Sequence, residues 1–166
     1  MLLDRLEFER SLVDVMEYWG GMTRPEVYDL MGREVADMVG FDQRNPHHCY
    51  DLFNHSLAAV HGISGNSDLY LAIAAFLHDV GKPEVAMEKN GRLVFYGHSA
   101  VSSAIAARVL RSMGYSREEM ELIRFYVAHH DDFISYALPA EAGGDTNPYM
   151  PVINEGNIRR YLSMVI

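Results

Sequence analysis

A chain of 166 residues is long enough for one domain with a single sizeable core. The formal net charge of −9 argues against a polyanion such as duplex DNA or tRNA as the partner. The single cysteine, Cys49, excludes an intramolecular disulfide, and no apolar run approaches the ~18 residues of a membrane span or forms a signal-peptide core, so the expected location is cytoplasmic.

In chain order, residues 4–18 read as an amphipathic helix whose apolar side is built from Leu6, Phe8, Leu12, Val13, Val15, Met16 and Tyr18. Gly20 and Gly21 end it. Thr23 and Glu26 form a capping box with Pro25 in the first turn, and a second helix runs to about 39, closed by Gly40. Residues 41–50 are irregular and broken by Pro46. Asp51 is placed to cap a third helix over about 51–63, in which His55 lies on the apolar side and His61 points elsewhere. A Gly/Asn/Ser turn leads into a central helix over about 68–79. Asn90-Gly91 between two strand-like runs is a strong short hairpin signal, which places a two-stranded excursion at about 85–96. A fifth helix is expected over 98–113, ended by Gly114. A sixth is expected over 117–130, opened by the capping box of Ser116 and Glu119 and ending in His129-His130-Asp131-Asp132. After a mixed tail over 133–154, a last helix over 155–165 stops while still apolar, the pattern of a cut helix. No repeat, low-complexity segment or composition shift divides the chain.

The central helix carries the chemistry. Residues 71–77 are wholly apolar, and the run then ends in His78-Asp79, with Gly81 and Pro83 to stop the helix. A carboxylate at the deep end of an apolar helix must be ion-paired, hydrogen-bonded or metal-bound, and imidazole with carboxylate suits several metals. His55, His98, His129 and His130 stand on other helix faces or ends. Singly, each is more often a structural histidine. Together they fit the way a helical bundle converges ligands from several helices on one ion.

This series (His55, His78-Asp79, His98, His129-His130) resembles the HD superfamily of metal-dependent phosphohydrolases, with His78-Asp79-Val80-Gly81-Lys82-Pro83 as its most specific string. Residues 42–51, Asn54-His55-Ser56-Leu57 and Asn157-Ile158-Arg159-Arg160 are similar to the HD region that follows the catalytic head of many bacterial tRNA nucleotidyltransferases. The resemblance covers about residues 40–166. It implies an all-α HD-domain helical bundle with the one small β-hairpin, residues 1–39 being an N-terminal helical segment packed on a domain expected to be cut short at its C-terminal end.

The resemblance further implies one or two divalent transition-metal ions, with Mn, Fe, Zn, Ni, Co and Mg not distinguished. Asp79 would bridge, His55 and His78 would serve one ion, and His98 with His129 or His130 the other. Asp79 and Lys82 are the candidate catalytic residues; Lys82 either holds a phosphate oxygen or is a solvated lysine past a helix end. Asp131 or Asp132 either supports a ligating histidine or forms an acidic turn, and Gln43 and Arg44 either contact substrate or order their loop. Two features depart from the pattern. No Gly-Ser loop with an Asp-x-Asp pair marks a nucleotidyltransferase head. The late Asp of the family is also not evident: it lies beyond the chain, is replaced by Asp131, Asp132 or Asp145, or is missing. The implied function is hydrolysis of a nucleotide or other small phosphoester through a metal-activated water. The alternative is a non-catalytic or accessory HD module related to tRNA nucleotidyltransferases, binding metal and nucleotide or an RNA-processing partner.

Overall fold

A computed structural model describes residues 4–17, 32–44, 50–63 and 68–131. These form α1 (Arg5–Glu17), α2 (Arg33–Ala36), α3 (Leu52–Gly62), α4 (Leu69–Leu77), α5 (Lys82–Val85), β1 (Met87–Lys89), β2 (Arg92–Val94), α6 (His98–Ser112) and α7 (Arg117–His129). The architecture is the expected all-α bundle with one hairpin. The Thr23–Glu26 capping box, Pro46, His47, His48, Cys49, Asp132, the tail over 133–154 and the helix over 155–165 lie outside the described residues.

Helix α4 is the axis of the bundle. Asp68 caps it, accepting from the backbone N–H groups of Tyr70 and Leu71. Leu71, Ala72, Ile73, Ala74, Phe76 and Leu77 are all buried, as befits a helix that is apolar nearly all round. It packs against α1, α3, α6 and α7. Phe76 meets Phe8 of α1 and Phe53 of α3 edge-on, with ring centroids 5.9 and 5.8 Å away. Asp51 caps α3 by accepting from the Asn54 N–H, and its other oxygen accepts from the Gly40 N–H.

Helix α1 buries a narrower stripe than its sequence suggests. Phe8, Leu12 and Val15, with Ser11, face the core, whereas Leu6 is 59% and Val13 39% exposed. Among the described residues the helix packs mainly against α3 and α4, so a single i, i+4, i+7 line suffices. Its first residue does more than pack. The Arg5 guanidinium lies 2.6 Å from Glu119 Oε1, which also accepts from the Tyr70 hydroxyl of α4. Glu119 Oε2 accepts from the Ser116 N–H, completing the capping box of α7. One carboxylate therefore caps α7 and ties it to α1 and α4. Arg5 foremost, then the Ser116 N–H and Tyr70, hold Glu119 down at about 2.

The hairpin is shorter than 85–96, because Val85 belongs to α5 and only Met87–Lys89 and Arg92–Val94 pair, antiparallel with Glu88 opposite Leu93. Asn90 (φ 53°) and Gly91 (φ 75°) both take the left-handed conformation that a tight two-residue hairpin turn needs. The hairpin meets the loop over 41–44 through Phe41 on Phe95 (6.2 Å) and Arg44 Nη1 on Glu88 Oε2 (3.2 Å). Among the described residues no helix is long and apolar enough to cross a membrane.

After α4 the chain turns sharply, and Gly81 lies against α6. Its N–H donates to Ser102 Oγ at 2.9 Å, and a β-carbon there would stand 2.7 Å from the Ser102 backbone nitrogen. Gly81→Ala is therefore expected to cost about 1–3 kcal/mol by overpacking, seen in calorimetry as a Tm several degrees lower. An unchanged Tm would mean that α6 yields freely at this contact.

Candidate metal centre

The turn after α4 delivers His78 and Asp79 into the bundle, both buried. His55 comes from the middle of α3, His98 from the first residue of α6 and His130 from the end of α7. All four imidazoles present Nε2 to the Asp79 carboxylate. His78 and His55 lie 3.0 and 3.4 Å from Oδ2; His98 and His130 lie 3.1 and 3.4 Å from Oδ1. Two three-donor clusters result, His55–His78–Asp79 and Asp79–His98–His130, each with ligand atoms within 4.8 Å of one another.

The backbone fixes how three of these rings are used. Nδ1 of His78 meets the Ala75 carbonyl at 2.7 Å, that of His98 the Phe95 carbonyl at 2.9 Å, and that of His130 the Val127 carbonyl at 2.7 Å. A carbonyl only accepts, so each Nδ1 carries the proton and, in the neutral ring, each Nε2 turns a bare lone pair toward Asp79. Imidazoles that bind metal are oriented in this way. His98 and His130 place their Nε2 atoms 3.2 Å apart, and the buried atoms His78 Nε2 and Asp79 Oδ1 make no hydrogen bond. Buried acceptors this dense, two of them unpartnered, call for a cation, and the His/Asp donor set fits a divalent one.

Electrostatics agree. Burial works against the Asp79 carboxylate, but His78, Lys82, His130 and His55 overcome it and hold Asp79 well below the usual range. Burial keeps His78 below its ordinary value. At His98 burial opposes the charged form, yet the Asp131 and Asp79 carboxylates override it and push the ring up to about 9. His130 is raised by Asp79 against the same burial penalty. Asp131 is also opposed by burial, but His98 and His130 hold it below its ordinary value. Without a metal, protons take the place of the cation.

Of the residues singled out in the sequence, His55, His78, Asp79, His98 and His130 come together. His129 stands outside both clusters, its ring 4.5 Å from that of Phe125. Lys82 Nζ lies 2.7 Å from Asp79 Oδ2 and 2.9 Å from Gln43 Oε1, over the face of Phe95. Gln43 is 3% exposed, with an unpartnered buried Nε2. Asp131 spans the other side of the histidine pair, with Oδ2 3.0 Å from His98 Nε2 and Oδ1 3.3 Å from His130 Nε2. The sequence signal for Asp131 was its place directly after His130, and that for Gln43 was its place in the 42–51 string of the resemblance.

The HD domain family model matches residues 48–158, more than half of the chain. The chain belongs to the HD domain family. This HD domain is also similar to two tRNA nucleotidyltransferases. It is 34% identical over 87 residues to the A-adding enzyme of Deinococcus radiodurans, covering 49% of this chain and 20% of that protein. It is 33% identical over 104 residues to the CC-adding enzyme of Thermus thermophilus, covering 60% of this chain and 24% of that protein. The chain thus spans about a quarter or less of these relatives' length. No solved structure matches it.

Because His98 is raised to about 9, the metal-free folded chain holds this proton more tightly than the unfolded one. That stability is fully present below the ordinary value of 6.5 and is lost as pH rises through about 9. Metal affinity runs the other way, since the cation must displace the proton. Calorimetric titration with Mn²⁺ in buffers of different ionisation enthalpy is expected to show proton release at pH 7, shrinking as pH approaches 9. Binding without proton release would place the ion away from His98.

Proposed function

We propose that this HD domain is a metal-dependent phosphohydrolase acting in the cytoplasm on a nucleotide or another small phosphoester. The observation that carries the reading is the convergence of four histidine Nε2 atoms and one lysine ammonium on the buried carboxylate of Asp79. Asp79 with His55 and His78 would hold one ion, and Asp79 with His98 and His130 another. A divalent cation held there would supply Lewis acidity toward the phosphoryl group and lower the pKa of a water to about 7.

The chain's own residues do the rest. The Ala75, Phe95 and Val127 carbonyls lock three rings so that the Nε2 lone pairs need no reorganisation. Gln43 Oε1 and the Phe95 face hold Lys82 beside the ligands, where its charge can take a phosphoryl oxygen. The acidic bulk charge selects against a long nucleic acid and leaves a compact phosphoester as the substrate class.

A second reading draws on the printed names of the relatives. Both are tRNA nucleotidyltransferases, and this chain corresponds to a minor part of each. An accessory HD module serving an RNA-processing partner would keep the ligands without hydrolysing anything.

A phosphoester panel with Mn²⁺, Co²⁺ or Mg²⁺, run on untagged protein, separates the two. The hydrolase reading expects turnover that falls to background in Asp79→Asn with an unchanged far-UV CD spectrum. It expects a loss of about 10²-fold in kcat in Lys82→Met, the scale of removing one preorganised charge donor. No turnover of any phosphoester by metal-loaded wild type would leave the accessory module standing.

A further inference from the structure

Beside the metal centre, two distant parts of the chain form one wall. The loop over 41–44 meets the hairpin segment twice, through Phe41 on Phe95 and through Arg44 Nη1 on Glu88 Oε2 at 3.2 Å. The same two parts hold Lys82: its ammonium donates to Gln43 Oε1 at 2.9 Å and lies 5.4 Å from the centre of the Phe95 ring. Glu88 and Phe95 therefore both face the loop, and each seats a cation. Lys82 on Phe95 is the inner one, 2.7 Å from Asp79 Oδ2. Arg44 on Glu88 is the outer one.

The hairpin register sets their offset. Glu88 pairs with Leu93, so Phe95 stands two residues further along and one strand across. That is roughly 7 Å along the strands and about 5 Å between them. Such an offset puts Arg44 beyond the phosphoryl group that Lys82 would hold, at the place of a neighbouring anionic group. The backbone that carries Arg44 is fixed: Gln43 is 3% exposed, and the Arg44 N–H donates to Asp42 Oδ1 at 2.8 Å. The guanidinium itself is lightly held. The Arg44 and Glu88 side chains are 58% and 63% exposed, and a surface pair of that kind adds little. A phosphate group takes two guanidinium N–H groups in parallel and is the stronger partner.

We propose that Arg44 binds a second phosphate group of the substrate, so that the substrate class is a phosphoester carrying two or more linked phosphates. This rests on the phosphohydrolase reading above and names its substrate class. It also assigns Arg44 the first of the two roles left open by the sequence, contact with substrate and ordering of the loop. Glu88 competes with the substrate for Arg44.

The test is calorimetric titration of inorganic pyrophosphate and of orthophosphate into the full, untagged chain. Mg²⁺ is kept in excess so that neither anion strips the centre, and CD confirms that each variant is folded. Wild type is expected to bind pyrophosphate at least about tenfold more tightly than orthophosphate, the scale of one charge-assisted contact. Arg44→Ala is expected to abolish most of that preference. Glu88→Gln is expected to tighten pyrophosphate by about two- to fivefold, because it frees the guanidinium. Arg117→Ala, which removes an exposed arginine paired with Glu121 on α7, controls for bulk charge and is expected to bind as wild type. A wild type that binds both anions alike or neither, or an unaltered preference in Arg44→Ala, would overturn the proposal. So would equal weakening in Arg44→Ala and Glu88→Gln, the mark of a pair that only orders the loop. Neither anion need be turned over, so these failures are read apart from the absence of turnover that would overturn the hydrolase reading.

Discussion

Everything about this HD domain depends on a carboxylate placed where water is scarce. Asp79 is 2% exposed and sits at the end of the most apolar of the described helices. In such surroundings an unpaired negative charge costs several kcal/mol. The surrounding elements answer with four imidazoles and one ammonium. The bundle can be seen as a scaffold that brings those nitrogen groups to one point without exposing it.

Most of the frame was legible in the sequence because local rules and tertiary packing agree there. Asp51, Ser116 with Glu119, and Asn90-Gly91 are each sufficient for their cap or turn, and each behaves as read. The central helix was legible for a different reason: an all-apolar run has nowhere to go but inside. Helix α1 misled because periodicity reports which residues can be buried, and among the described residues no element covers Leu6 and Val13.

The site divides in the same way. His78-Asp79 and the order of the histidines were visible as a pattern. The choice between His129 and His130 was not, since adjacent helical positions differ by about 100° and only the docking angle of α7 turns one of them inward. That angle makes His130 part of the cluster and lays His129 on Phe125. The contact of Gln43 with Lys82 was invisible for a related reason. It spans 39 positions and exists only because the loop over 41–44 is pressed against the hairpin.

Helix α7 is a rod of 13 residues, about 20 Å long. Its first turn is pinned to α1 and α4 through Glu119, and its last residue leads directly to His130. A rod held at one end transmits the angle set there to the other. Arg5, far from the metal centre in sequence and outside its chemistry, thereby helps set where His130 points. An N-terminal segment that looks like a mere outer support is part of the aim of the site, and shortening the chain from that end would act as a loss of alignment before it acted as a loss of fold.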